Sequence, residues 1–145
     1  MKFTLGKEEK LRHKTLVDGV FEAGTTIYEY PLRLTYRKLN EKELKTSFRN
    51  SVPSRIGEIQ MLITVPKKKL RHAVDRVRMR RLIREAYRLN RLVLKEKIKA
   101  NAELRTLSLA FIYLHGDKTD YNVIENKMNK LLERVTATIQ EAKEQ

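Results

Sequence analysis

The 145-residue chain has no cysteine and no tryptophan, and its five glycines and three prolines form no linker. Without cysteine there is no disulfide framework, no thiolate zinc site and no thiol nucleophile, which fits a reducing compartment. Nowhere do about 18 apolar residues follow one another, so no membrane-spanning helix is expected. The start MKFTLGKEEKLRHK lacks the apolar run of a signal peptide, and a soluble cytoplasmic protein is the expectation. Carboxylates are scarce as well: 18 acidic residues face 32 Lys and Arg, giving a net charge of +14 and a pI near 10.1. With 41% hydrophobic residues the chain can still bury one core, so residues 1–145 read as a single domain. Such an imbalance implies a polyanionic partner, either nucleic acid or an anionic membrane surface.

The positive charge is concentrated. From Lys67 to Arg91, eleven basic residues meet only Asp75 and Glu85, a local excess of nine out of fourteen. From Asp120 onward, four basic residues meet five acidic ones, so the opposite end of the sequence is nearly neutral.

Periodicity outlines the elements. Leu16, Val17, Val20 and Phe21 have helical spacing within 11–21, before a stop at Gly24. Residues 26–38 (TIYEYPLRLTYRK) alternate, with Tyr30, Leu32, Leu34 and Tyr36 on one face and Arg33, Thr35 and Arg37 on the other, as in a strand open to solvent on one side. Residues 40–55 read as an irregular connection in which Pro53 argues against a central strand. Residues 58–65 (EIQMLITV) form a second strand, closed by Pro66. A helix is expected throughout 72–99, with Asp75 in its first turn. Residues 106–114 (TLSLAFIYL) are apolar on both faces, as in a buried strand, with Phe111 and Tyr113 in the core. Ile124, Met128, Leu131, Val135 and Ile139 keep helical spacing behind an N-cap at Thr119 or Asp120. The order helix, strands, long helix, strand, helix gives an α+β sandwich on a small mixed sheet.

Within the long helix, DRVRMRRLIREAYR places six arginines in fourteen residues. At 100° per residue Arg76, Arg80, Arg81, Arg84, Arg88 and Arg91 share an arc of about 140°, with Arg78 at the seam of an apolar stripe formed by Met79, Leu82, Ala86, Leu89 and Val93. Only Glu85 follows an arginine of the arc at i+4, after Arg81, so no ladder of carboxylates balances the arc. A guanidinium fork binds two phosphate oxygens and stacks on bases, which favours close contact with a nucleic-acid backbone. Lys67, Lys68, Lys69 and Arg71 extend the patch to the helix N-terminus, itself suited to a phosphate. The chain lacks a helix-turn-helix pair or a dimerising heptad, so structured RNA fits better than DNA. Tyr87 borders the arc, where it could stack on a base or simply pack its ring.

Other function classes fare worse. His13, His72 and His115 are far apart with no carboxylates gathered around them, and there is no GxxxxGK[ST] loop. No catalytic residue and no metal ligand is expected in this chain. A ribosomal-type or RNA-chaperone protein would share the charge and the size. A membrane-surface role is disfavoured, because the apolar stripe is needed for the sheet and has no Trp or Phe anchor.

VPKKKLRHAVDRVRMRRLIREAYRLNR resembles the signature of the protein subunit of bacterial ribonuclease P: Arg-Asn-Arg, any residue, Lys or Arg, Arg, two residues, Arg-Glu. Here that core is Arg76, Val77, Arg78, Met79, Arg80, Arg81, Leu82, Ile83, Arg84, Glu85. The resemblance runs over residues 10–135, through LRHKTLVDGVFEAGTTIY, ITVPKK, LAFIYL and KLLERV. It implies a left-handed β-α-β crossover and contact of the arginine helix with a catalytic RNA subunit. It also implies a cleft between the first helix and the sheet for the 5′ leader of precursor tRNA, and Mg²⁺ held by the RNA. One protein would bind one RNA, with no DNA or membrane partner. The expected RNA contacts are Lys67, Lys68, Arg71, Arg76, Arg78, Arg80, Arg81, Arg84 and Arg88, and the expected leader cleft is Val17, Phe21, Tyr30 and Tyr36. The chain departs from the pattern in several places. Val77 replaces the signature asparagine and Val17 replaces a common phenylalanine. The usual strand aromatic falls at Thr35, beside Tyr36 and downstream of Tyr28 and Tyr30, and His72 replaces an asparagine cap.

Overall fold

A computed structural model describes residues 5–48, 52–53 and 56–144, with side chains placed as far as 139. Parts of the expected connection 40–55 and the first four residues lie outside it. A 3-10 turn, Lys7–Glu9, leads into α1 (Lys14–Ala23), β1 (Thr25–Glu29), β2 (Leu32–Leu39), α2 (Glu41–Ser47) and β3 (Ile59–Thr64). There follow α3 (Ala73–Asn90), α4 (Leu92–Ala100), β4 (Thr106–Tyr113) and α5 (Tyr121–Glu144).

The four strands form one mixed sheet in the order β1-β2-β4-β3, antiparallel except for the β3–β4 pair. β3 and β4, parallel neighbours, are joined by α3 and α4 in a β-α-β unit. All eight residues of β4 are buried, because β2 and β3 flank it and helices cover both faces. Leu32, Leu34 and Tyr36 of β2, Leu107, Leu109, Phe111 and Tyr113 of β4, and Ile59 and Met61 of β3 meet α3, α4 and α5 in the larger core. The other face carries α1 and α2, which bury Leu16, Val20, Leu39, Leu44 and Ala110 in a smaller one. The sandwich expected from the order of elements is present. Gly24, the C-cap of α1, is held to glycine by sterics: a Cβ there would run into the carbonyl oxygens of Val20 and Tyr36.

Three expectations are corrected. Residues 26–38 are a hairpin, not one strand, turning at Tyr30–Pro31, whose peptide bond is cis. Glu29 pairs with Leu32 across a two-residue turn, and proline has no N–H to give to a ladder. Within 40–55, Glu41–Ser47 is helical. Its start is a reciprocal cap in which Asn40 Oδ1 accepts from Glu43 N–H (2.7 Å) and Glu43 Oε1 from Asn40 N–H (3.0 Å). The long helix is interrupted at Arg91, which caps α3 and precedes α4.

Candidate nucleic-acid interface

α3 is rotated from the expected setting. Met79, Ile83, Ala86 and Tyr87 are its buried residues, while Leu89 and Val93 are 38% and 62% exposed. At 100° per residue this moves the inward face by roughly 60° from the expected stripe. Tyr87 therefore lies in the core beside Phe111 (centroids 5.9 Å apart), not at the boundary where it could stack on a base. Burial pushes its hydroxyl well above the usual phenol range, with Glu9 adding to the shift and Arg91 opposing it.

The rotation separates the arginines into two groups. Arg91 is fully buried: Nε donates to Glu9 Oε1 (2.7 Å), Nη2 to Glu9 Oε2 (3.1 Å) and Nη1 to the Arg88 carbonyl (2.6 Å). This guanidinium clasps the N-terminal segment to the α3–α4 junction and is no RNA contact, correcting its place on the expected arc. Arg76 turns back on the chain, its Nη1 donating to the carbonyls of Leu70 (2.9 Å) and Arg71 (2.8 Å). It braces the preceding turn. Arg88 is paired with Glu85 by two hydrogen bonds, which hold the Glu85 carboxyl below the usual carboxylate range.

Arg78, Arg81 and Arg84 are exposed and Arg80 half-exposed, and none of the four has an acidic partner among the described residues. Lys67, Lys68, Lys69 and Arg71 are exposed in the turn after β3, where Lys69 N–H closes on the Pro66 carbonyl (3.0 Å). His72 gives α3 no side-chain cap. Eight cations thus line one face of α3 and its approach, and like charges at this spacing stay poorly screened until an anion covers them.

The second expected site lies across the sheet. Val17 and Phe21, one turn apart, flank the buried Leu16 and Val20 of α1; Val17 is half-buried and Phe21 48% exposed. Hairpin register decides which strand residues face α1. The turn reverses the parity read from a single strand, so Tyr28 pairs with Arg33 and Thr26 with Thr35. Arg33 continues to Ile112 and Thr64 in one row, and Thr35 to Ala110 and Leu62 in the next. Tyr36, expected in this cleft, points to the other face and is 7% exposed within the larger core. Tyr30 is at the hairpin tip, 60% exposed, with its hydroxyl 2.8 Å from His115 Nδ1.

Two residues here lie outside the expected cleft set, Tyr28 weighed only as an alternative stacking tyrosine and Arg33 not selected at all. Tyr28, 58% exposed, is the aromatic that register brings to the α1 face, and Arg33 lies beside it with its Nε buried and unpartnered among the described residues. The alternation Arg33, Thr35, Arg37 was the available signal. Tyr36→Ala should cost about 3 kcal/mol of stability by emptying a core site, whereas Phe21→Ala should stay within about 1 kcal/mol. Urea denaturation of the two variants checks this assignment of faces.

No group of three His, Cys, Asp or Glu gathers as a cation site among the described residues. No helix there is long and apolar enough to cross a membrane.

Comparison with known proteins gives concordant matches. A family model described as Ribonuclease P matches residues 5–136. The ribonuclease P protein component of Porphyromonas gingivalis W83 is 33% identical over 137 residues, spanning 94% of this chain and 90% of that protein. That of Chlorobium phaeobacteroides is 28% identical, spanning 91% and 88%. Among solved structures, the RNase P protein of Staphylococcus aureus superposes with a TM-score of 0.60 at 16% identity, covering 88% of this chain and 94% of that one. The Thermotoga maritima RNase P protein gives 0.59 at 20%, covering 87% and 96%. At such identities the structural matches establish the fold.

Proposed function

Because this chain belongs to the ribonuclease P protein family, we propose that it binds the catalytic RNA of a bacterial ribonuclease P through the outward face of α3 and the 5′ leader of precursor tRNA between α1 and the sheet. Its role is to promote removal of that leader, yielding the mature tRNA 5′ end. The observation that carries the reading is the group Arg78, Arg80, Arg81 and Arg84, held outward on a helix whose other side is core and left without carboxylate partners among the described residues. Guanidinium forks in that state suit phosphate oxygens. Lys67, Lys68 and Arg71 extend the contact around the uncapped start of α3, where free N–H groups favour an anion. Arg76 and Arg88 serve the same surface indirectly, one bracing the turn and the other paired with Glu85.

On the leader side, Val17 and Phe21 supply one wall, Tyr28 and Arg33 lie on the sheet, and Tyr30 stands at the rim. An exposed aromatic beside a guanidinium suits an unpaired nucleotide, offering the base a ring and its phosphate a charge. Hydrolysis belongs to the RNA subunit with its own Mg²⁺, and the protein contributes affinity and positioning in the cytoplasm, one copy per RNA.

The test is leader cleavage. The RNA subunit transcribed from the same genome, assayed with a precursor tRNA at low Mg²⁺, should process faster when the protein is added, and Phe21→Ala should raise the precursor KM with little effect on Tm. Tight RNA binding without any acceleration would favour a ribosomal-type or RNA-chaperone protein instead.

A further inference from the structure

The outward face of α3 is not uniformly charged. Val74, Val77 and Leu82, with Ala73 and the stems of Arg78 and Arg81, line an open depression of about 680 Å³. Val74 is 79% exposed and Val77 half-exposed, and neither belongs to either core cluster; Leu82 alone reaches back to the larger core. One helical strip holds them, because residues three and four apart are surface neighbours. It is an apolar strip set among the exposed arginines of this helix face.

We propose that this strip receives the face of one unstacked nucleobase of the RNA partner, while Arg78 and Arg81 hold the adjoining phosphates. The inference rests on the RNA-binding reading and deepens it. Charge complementarity selects the occupant. Whatever covers Val74 and Val77 must also lie against Arg78 and Arg81, with Arg80 and Arg84 farther round the helix, and none of the four is neutralised from within among the described residues. A nucleotide brings a flat apolar face and an anion in one unit of the right size, whereas an apolar peptide segment would have to supply separate acidic residues. The base must be unpaired, because a duplex presents only edges and phosphates to a helix surface. Valine and leucine offer neither ring nor hydrogen bond, so the contact draws on removal of apolar surface from water and is indifferent to which base is seated.

The chain has no cysteine, so Val77→Cys creates a unique attachment point for an azidophenacyl cross-linker. Irradiated with the RNA subunit transcribed from the same genome, this variant should cross-link to one unpaired nucleotide. In parallel, the double variant Val74→Ser, Val77→Ser should lose about tenfold in affinity for that RNA. The slope of log affinity against log salt should not change, because no phosphate contact is removed, whereas Arg78→Ala should make the slope shallower by about 0.7. Wild-type affinity in the double variant, cross-links spread over duplex segments, or an affinity loss with a shallower slope each overturns the base-docking strip while leaving RNA binding intact. Failure of the unaltered protein to bind the RNA at all brings down both.

Discussion

Glu9→Ala is expected to lower the stability of this protein by about 3–5 kcal/mol, because it leaves the buried Arg91 guanidinium without its carboxylate. Glu9 and Arg91 side chains are 4% and 0% exposed, and their two parallel hydrogen bonds are the most enclosed ionic contact among the described residues. Against a typical total of about 5–15 kcal/mol, such a loss is a large share, and at about 2–4 °C per kcal/mol it should lower Tm by about 6–20 °C. The pair does more than fill space. Gly6 N–H also donates to Glu9 (3.3 Å), Lys95 approaches it (4.0 Å), and the next residues join the β3 edge through Leu11 N–H and the Met61 carbonyl (2.9 Å). Loss of Glu9 therefore loosens the segment that leads into α1 as well as the α3–α4 junction. Replacing both partners by apolar residues, Glu9→Leu with Arg91→Met, should recover most of the loss, because neither charge is then stranded. Urea denaturation of the three variants measures this. A cost below about 1 kcal/mol for Glu9→Ala would show the pair to be solvated.

The second large effect is on affinity. If Lys67, Lys68, Arg78, Arg80, Arg81 and Arg84 each meet a phosphate, log affinity for the RNA subunit should fall against log salt with a slope near −4, at roughly −0.7 per contact. Changing the four arginines to alanine should bring the slope to about −1.4 and weaken binding about two-hundredfold at 0.15 M salt. Thermal stability should hold or rise, because none of the four side chains belongs to a core cluster, alanine favours the helix and mutual repulsion is relieved. Filter binding over a salt series, with a melting curve for each variant, gives both quantities. A slope that stays steeper than about −3 after the change would place the RNA on another surface.

The fold was legible where one period dominates. Residues 106–114 read as buried strand because no face is polar, and α1 and α5 read as helices because their apolar residues recur every three or four positions. The hairpin was hidden because both arms alternate and the two-residue turn leaves no gap in the pattern. Missing that turn reversed parity for β1 alone, which hid that Tyr28 shares a face with Arg33; alternation had Tyr36 correctly beside Leu32 and Leu34, and only the resemblance drew it into the cleft. α3 was misread for a different reason. Leu82, Leu89 and Val93 suggested a stripe by residue type, whereas the core uses Ile83 and Tyr87 and leaves Leu89 and Val93 in water. No local pattern could show that Arg91 ends one helix and pairs with a carboxylate 82 positions away. What did survive is the outward set Arg80, Arg81 and Arg84, fixed by spacing on a helix correctly placed.

The order β1-β2-β4-β3 also bears on biosynthesis. Of these four strands β4 is made last and lies inside the sheet, so until residues 106–113 leave the ribosome, β2 and β3 have no common partner and the sheet exists only as a hairpin and a separate strand. α3 emerges earlier, its cationic side already complete while the part of the hydrophobic floor that β4 and α5 supply beneath Met79, Ile83 and Tyr87 is still missing. A nascent chain at that stage displays its charge without the scaffold that orients it, and the sheet closes only once β4 has been made.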